Sequence, residues 1–279
     1  MAKFAAIQMC SSHVVDENLK NAATLIAGAR AQGAKLAVLP EMFAIMGEKT
    51  TDKLIVKETM GHGKIQDFLS EQAIKNDIWL VGGTIPIAAS TANKVKAASL
   101  VYNNQGELVA RYDKIHLFDA TISERETYRE SDTVEPGDHV TLLDTPFGKI
   151  GLAVCYDIRF PELFRWLFKE GADIFVVPAA FTVPTGAAHW ALLTRSRAVE
   201  NFCFVVGACQ GGSHSNGRET YGHSLIIEPW GTIIQEMDGS TPGVICAELD
   251  LEKIKQARSA VPIGEHQQIQ YVFKKTNTR

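Results

Sequence analysis

One stretch of this chain is written twice. Gly33-Ala34-Lys35-Leu36-Ala37-Val38-Leu39-Pro40-Glu41-Met42-Phe43 reappears as Gly171-Ala172-Asp173-Ile174-Phe175-Val176-Val177-Pro178-Ala179-Ala180-Phe181, with glycine, alanine, valine, proline and phenylalanine at the same offsets. Two shorter matches follow in the same order. Asn76-Asp77-Ile78-Trp79-Leu80-Val81-Gly82 pairs with Asn201-Phe202-Cys203-Phe204-Val205-Val206-Gly207, and Ser99-Leu100-Val101 pairs with Ser224-Leu225-Ile226. Such a chain is expected to fold as two similar halves related by an approximate two-fold axis.

Each half reads as strand, helix, strand, helix, strand and hairpin. In the first, Phe4 to Met9 is a strand, and Asp16 to Arg30 is a helix with an acidic start and a basic end. Leu36 to Leu39 is a strand, Lys64 to Asn76 a helix, Ile78 to Val81 a strand, and Lys96 to Tyr112 a hairpin turning at Asn103-Asn104-Gln105-Gly106. The strands are continuously apolar and need cover on both faces. Two sheets packed face to face with helices outside satisfy that demand, an α/β fold in four layers, helix, sheet, sheet, helix. The ends of equivalent strands then meet near the axis, so residues distant in sequence can share one cleft.

The places where the repeat fails point to chemistry. Glu41 stands where the other half has Ala179, and Cys155 stands where the other half has Met9. Lys149 to Val154 reads as a buried strand and Pro161 opens a helix, so Cys155 sits at the handover between them, where a helix N-terminus would favour its thiolate. Lys114, in Arg111-Tyr112-Asp113-Lys114-Ile115-His116-Leu117, sits at a strand end, where it can donate to an oxyanion. Taken singly, Cys155 is equally a small core residue, Lys114 a solvated lysine and Glu41 a structural acceptor.

Together these segments resemble the nitrilase superfamily of carbon-nitrogen hydrolases. Leu-Pro-Glu at Glu41, Asp-Lys-Ile-His-Leu at Lys114 and Gly-Leu-Ala-Val-Cys-Tyr-Asp-Ile-Arg-Phe-Pro-Glu at Cys155 are similar to its Glu-Lys-Cys triad, and the likeness runs from about Phe4 to about Val261. The resemblance implies an αββα sandwich that pairs into a homodimer or homotetramer. It implies Cys155 as nucleophile, Glu41 as general base and Lys114 with the Tyr156 N–H as oxyanion donors. Glu130, in Tyr-Arg-Glu-Ser, resembles the family's second glutamate, which supports the lysine or the substrate.

The motifs after Cys155 resemble the branch that hydrolyses small 2-oxo acid amides: Thr185-Gly186-Ala187-Ala188-His189-Trp190, Tyr221-Gly222-His223-Ser224 and Pro229-Trp230-Gly231. Deaminated glutathione is the expected substrate, giving 2-oxoglutarate and cysteinylglycine through a thioester. 2-Oxoglutaramate is the alternative, followed by other reactions of the superfamily and by an inert scaffold member. Arg159 and Arg195 are candidates for the substrate carboxylate, Arg159 having an internal ion pair with Glu162 or Asp157 as its competing reading. Phe181 and Thr185 are expected to line the pocket, with Tyr156; His189 and Trp190 line it or pack.

The rest of the sequence narrows the partners. The 279 residues carry a formal net charge of -4, without the basic excess that nucleic acid demands. The apolar run at the amino terminus is broken by Gln8 and reads as a first strand, not as a signal peptide or membrane span. The five cysteines (Cys10, Cys155, Cys203, Cys209 and Cys246) form no disulfide or zinc pattern, and Cys203 and Cys209 are expected only to pack. No histidine pair has metal-ligand spacing, and Gly211-Gly212-Ser213 reads as a loop rather than a phosphate cradle. No cofactor and no metal are expected. Residues 1–265 are expected to form one domain, cytoplasmic and acting on a small amide, with 266–279 as a polar tail.

Overall fold

Alternation along the strands decides the layers. In the computed structural model, which describes residues 1–124 and 126–269, the first half runs β1 (Ala2–Gln8), α1 (Val15–Ala31), β2 (Leu36–Val38), α2 (Asp52–Ile55), α3 (Lys64–Asn76), β3 (Trp79–Val81), β4 (Ile85–Ala88), β5 (Val95–Tyr102), β6 (Leu108–Asp113) and the hairpin β7 (Asp119–Ser123) to β8 (Glu126–Arg129). The second runs β9 (Leu142–Thr145), β10 (Gly148–Leu152), α4 (Pro161–Lys169), β11 (Ile174–Ala179), α5 (Val183–Asn201), β12 (Phe204–Cys209), β13 (Gly211–Ser213), β14 (Glu219–Tyr221), β15 (Leu225–Ile227) and β16 (Ile233–Glu236). It closes with β17 (Gly243–Leu249), α6 (Glu252–Ala260) and α7 (Ile263–His266). Residues 270–279 of the expected polar tail lie outside the described residues.

Two large sheets result. One has the order β17-β1-β2-β3-β5, with β4 sharing an edge of β5 and β6 on its other edge; the second has the order β16-β15-β12-β11-β10-β9. Their registers reproduce the sequence repeat residue for residue. Phe4 lies opposite Leu36 as Ile150 lies opposite Ile174. Leu36 lies opposite Trp79 as Ile174 lies opposite Phe204, and Val81 lies opposite Val101 as Val206 lies opposite Ile226. The equivalent strands β1 and β10 each have an antiparallel neighbour, but β9 directly precedes β10 whereas β17, residues 243–249, comes back from the second half to flank β1.

Phe4 and Ala6 of β1 point into the apolar layer between the sheets, with Leu152, Val176 and Val206. Ala5 and Ile7 point the other way, onto a second apolar layer under α1 and α3. On α1 the buried side chains Leu19, Ala22, Ile26 and Ala29 recur every three or four residues, as an amphipathic helix requires. On α4, Pro161 sets the first turn and Leu163, Phe164 and Leu167 are buried. The αββα layering expected from the repeat is the observed one.

Several features were not foreseen. The strand at Ile85–Ala88 is short, the hairpin of β7 and β8 alternates only between partial and full exposure, and Gly211–Ser213 is a strand paired with Glu219–Tyr221 rather than a loop. The expected strand from Lys149 to Val154 stops at Leu152: Val154 stays extended, but its N–H donates to the Asp157 carboxylate instead of a neighbouring strand, and the chain turns at Cys155.

Gly83 shows how tightly the end of β2 is held. Its φ is +54°, and a Cβ there would lie 2.0 Å from the Pro40 carbonyl oxygen. Gly83→Ala is expected to destabilise the fold by about 1–3 kcal/mol and to lower activity with it, because Glu41 follows Pro40. Denaturant unfolding and steady-state turnover check both; an unchanged midpoint would contradict the close approach.

Candidate active site

Four segments end at one place. Glu41 is in the turn after β2, where Leu39 N donates to Val81 O and Met42, at a φ of 54°, donates its N–H to Thr84 Oγ1 at 2.9 Å. From the other half, Gln210 Nε2 donates to Glu41 O at 3.0 Å. Lys114 follows β6, its N–H donating to Ala97 O and its carbonyl accepting from Gly137 N. Glu130 opens a single 3-10 turn, Glu130–Asp132. Cys155 opens another, Cys155–Arg159, immediately beyond β10.

Cys155 has a φ of 47°, unusual for a residue with a side chain, so the strand turns sharply under it. Asp157 holds that turn. Fully buried, its carboxylate accepts from Val154 N at 2.8 Å, Tyr112 OH at 2.7 Å and His116 N at 3.1 Å, with the His116 ring nitrogen Nδ1 at 2.7 Å. The His116 ring stacks on Phe160, centroids 3.6 Å apart. One side chain therefore ties the Cys155 turn to the segment that carries Lys114.

The side chains converge on a buried charge cluster. Lys114 is 2% exposed, and its Nζ donates to Glu41 Oε1 at 2.8 Å and to Glu130 at 2.8 and 3.1 Å. Glu130 also accepts from Phe118 N at 2.7 Å. Burial alone would drive the proton off Lys114, but Glu130, then Glu41 and Cys155, outweigh it and hold the ammonium charged well above the usual lysine range. Burial likewise opposes ionisation of Glu130, and the Lys114 charge and hydrogen bonds win, holding the carboxyl below its usual range.

For Cys155 the balance goes the other way. Burial, then the Glu41 charge, push the thiol well above its usual range, against the pull of Lys114. The expected thiolate-favouring helix end is absent as a cause, because α4 begins only at Pro161 and a carboxylate lies nearer. The resting thiol is neutral, hydrogen-bonded to Glu41, and needs a base to react.

A cavity of about 520 Å³ opens over the cluster. Glu41, Lys114, Glu130 and Cys155 line one part of it, and Lys53, Tyr128, Asn216 and Arg218 another. A much smaller recess that also reaches Cys155 is lined by Tyr156, Arg159, Phe181 and Thr185. The Arg159 guanidinium lies over the Phe181 and Tyr156 rings at 5.6 and 5.9 Å and 3.3 Å from His189 Nδ1. Its expected ion pair with Glu162 or Asp157 is not formed, since Asp157 is occupied by four donors.

Arg195 does not reach the site; its Nε donates to Gly231 O. Trp190 is buried, its Nε1 donating to His223 O. Cys203 and Cys209 are buried as expected. Sequence reasoning missed Asp157 as the anchor of the Cys155 turn, and Lys53 and Arg218 as cavity walls. The Tyr-Asp pair after Cys155 carried a signal for the first; nothing local marked the other two.

Glu130 gives the site a pH signature. Its depressed folded-state value makes its contribution complete above the unfolded glutamate pKa of about 4.3 and lost as pH falls through the folded value. Glu130→Gln is expected to cost about 3 kcal/mol at neutral pH and to show a shallower fall in stability below pH ~5 than the wild type. Urea unfolding from pH 7 to 3 measures both; parallel pH profiles would contradict the pairing.

Comparison with known proteins agrees with the geometry. The carbon-nitrogen hydrolase family matches residues 3–259. The chain is 40% identical over 266 residues to the deaminated glutathione amidase of Synechocystis sp. (strain PCC 6803 / GT-S), covering 94% of this chain and 96% of that one. It is 36% identical over 262 residues to human omega-amidase NIT2, covering 94% and 93%. Among solved structures, Saccharomyces cerevisiae Nit3, a member of branch 10 of the nitrilase superfamily, superposes with a TM-score of 0.84 at 37% identity, covering 94% of each chain.

Proposed function

The chain belongs to the carbon-nitrogen hydrolase family and is an amide hydrolase; from that premise we propose that it cleaves deaminated glutathione to 2-oxoglutarate and cysteinylglycine, with Cys155 as nucleophile. The observation that carries the mechanism is the meeting of Glu41, Lys114, Glu130 and Cys155 on one cavity wall.

Glu41 accepts the thiol proton as Cys155 Sγ attacks the amide carbon, so a neutral resting thiol suits the step. The developing oxyanion takes hydrogen bonds from Lys114 Nζ and the Tyr156 N–H, donors fixed before the reaction begins. Glu41 passes its proton to the departing amine, leaving a thioester on Cys155. Water then enters, Glu41 takes its proton, and attack on the thioester releases the acid and restores the thiol. Glu130 acts through Lys114, holding the ammonium in place and charged.

The 2-oxo acid carboxylate meets Arg159, with Thr185 as a hydroxyl donor and Phe181 and Tyr156 as walls. A carboxylate in such a recess needs a cation or several donors, or its burial would be costly. Arg159 supplies one, since its guanidinium is engaged by rings and a histidine rather than by a carboxylate. The likeness to deaminated glutathione amidases favours this substrate over 2-oxoglutaramate. The enzyme works as a homodimer or homotetramer in the cytoplasm. Exposed Leu192, Val199 and Trp230 support a covered face, and five free thiols suit a reducing compartment.

The test is 2-oxoglutarate release from deaminated glutathione and from 2-oxoglutaramate, side by side. Deaminated glutathione is expected to have the higher kcat/KM, and Cys155→Ala to abolish turnover of both by at least about 10³-fold. Faster 2-oxoglutaramate turnover would move the enzyme to that substrate with the same residues; activity surviving Cys155→Ala would overturn the mechanism.

A further inference from the structure

Lys53 and Arg218 are among the cations of the cavity wall that the proposed reaction leaves unused. Lys53, on α2, lines the cavity within electrostatic reach of Glu130, Lys114, Glu41 and Arg218, yet it is ion-paired to no carboxylate among the described residues. Arg218, beside the turn joining β13 and β14, is held by its edges. Nη2 donates to Ala180 O at 2.9 Å, Nη1 lies 3.8 Å from Met46 Sδ, and the guanidinium sits over the Tyr128 ring at 5.2 Å. Its Nε is buried without a partner.

The carboxylates that share this wall are engaged elsewhere. Glu126 accepts from Tyr128 OH, Glu219 from Ser213 Oγ, and Glu48 faces His13. Glu41 and Glu130 share Lys114. Among the described residues neither Lys53 nor Arg218 forms an ion pair with any of these carboxylates, so both cations are left to meet an anionic guest in the cavity they line.

The position of that guest relative to Cys155 follows from the two compartments. The acyl chain, with its own carboxylate, belongs on the side of Arg159. The large cavity, which meets that recess at Cys155 but is not lined by Arg159, receives whatever leaves. Ammonia, the leaving group of a primary amide, needs neither 520 Å³ nor two cations. An amino acid or dipeptide, ending in a carboxylate, needs both.

We infer that Lys53 and Arg218 bind a carboxylate on the leaving-group side of the scissile amide, so that this enzyme selects amides whose leaving amine is an amino acid or short peptide. This rests on the reading above that the acyl side is the Arg159 recess. The pair discriminates between dianionic and monoanionic 2-oxo amides, and between peptide-like and primary amides, at the same triad.

The test compares deaminated glutathione with its C-terminal carboxamide, which differ only in that carboxylate. Lys53→Met and Arg218→Met are each expected to lower the ratio of kcat/KM for the acid over the carboxamide by about tenfold, the scale of one lost charge-assisted hydrogen bond, and Arg218→Lys to recover part of it. An unchanged ratio in both methionine variants overturns the proposal. A binding readout separates this outcome from failure of the substrate reading: protection of Cys155 from acrylamide alkylation by alanylglycine, a dipeptide without a thiol. Protection in the wild type that weakens about tenfold in the variants supports the clamp even if no 2-oxo amide is turned over. No protection in the wild type overturns it.

Discussion

A buried ammonium governs this structure. Lys114 sits almost without solvent, and a lone charge in that position would cost several kcal/mol; two carboxylates from different segments answer it. The turn after β2 must bring Glu41, and the turn after β8 must bring Glu130, before the charge is matched. Folding of these segments is therefore coupled to assembly of the site. Burial first, and then the Glu41 charge, hold the neighbouring thiol protonated, and Glu41 lies within hydrogen-bond reach of it.

Asp157 applies the same logic to the backbone. A carboxylate with no exposure is tolerable because four donors surround it, and those donors belong to β6, the segment after it and the Cys155 turn. The sharp backbone at Cys155 is held by that network, and Lys114 lies two residues from both Tyr112 and His116. Orientation of the proposed nucleophile and of the proposed oxyanion donor thus rests on one acceptor.

What was legible in the sequence is what repeats, and what breaks the repeat. Leu36 and Ile174, or Val101 and Ile226, were aligned by residue type alone and occupy the same register, because buried strands write their neighbours into their composition. Glu41 and Cys155 stood out against Ala179 and Met9, since symmetry of the scaffold does not call for them. The hairpin at Asp119–Arg129 stayed hidden because its faces alternate only between partial and full exposure. Lys53 and Arg218 stayed hidden for another reason: the cavity that gives them meaning is built from loops far apart in the chain. The raised thiol was not legible because a helix end was inferred from Pro161, while the burial that raises it belongs to the whole fold and the carboxylate that adds to it lies 114 positions earlier.

The return of β17 to the edge of β1 has a temporal consequence. Ala2 through Gln8 find their antiparallel partners only among residues 243–249. A ribosome that has released the first half of the chain has therefore exposed a sheet with one open edge, an invitation to wrong pairing. Glu41 emerges early and Cys155 past the midpoint of these 279 residues, but the sheet beneath Glu41 lacks its closing strand until residues 243–249 have followed. A chain cut short before those residues would therefore hold Glu41 and Cys155 on two sheets of which one is still unclosed.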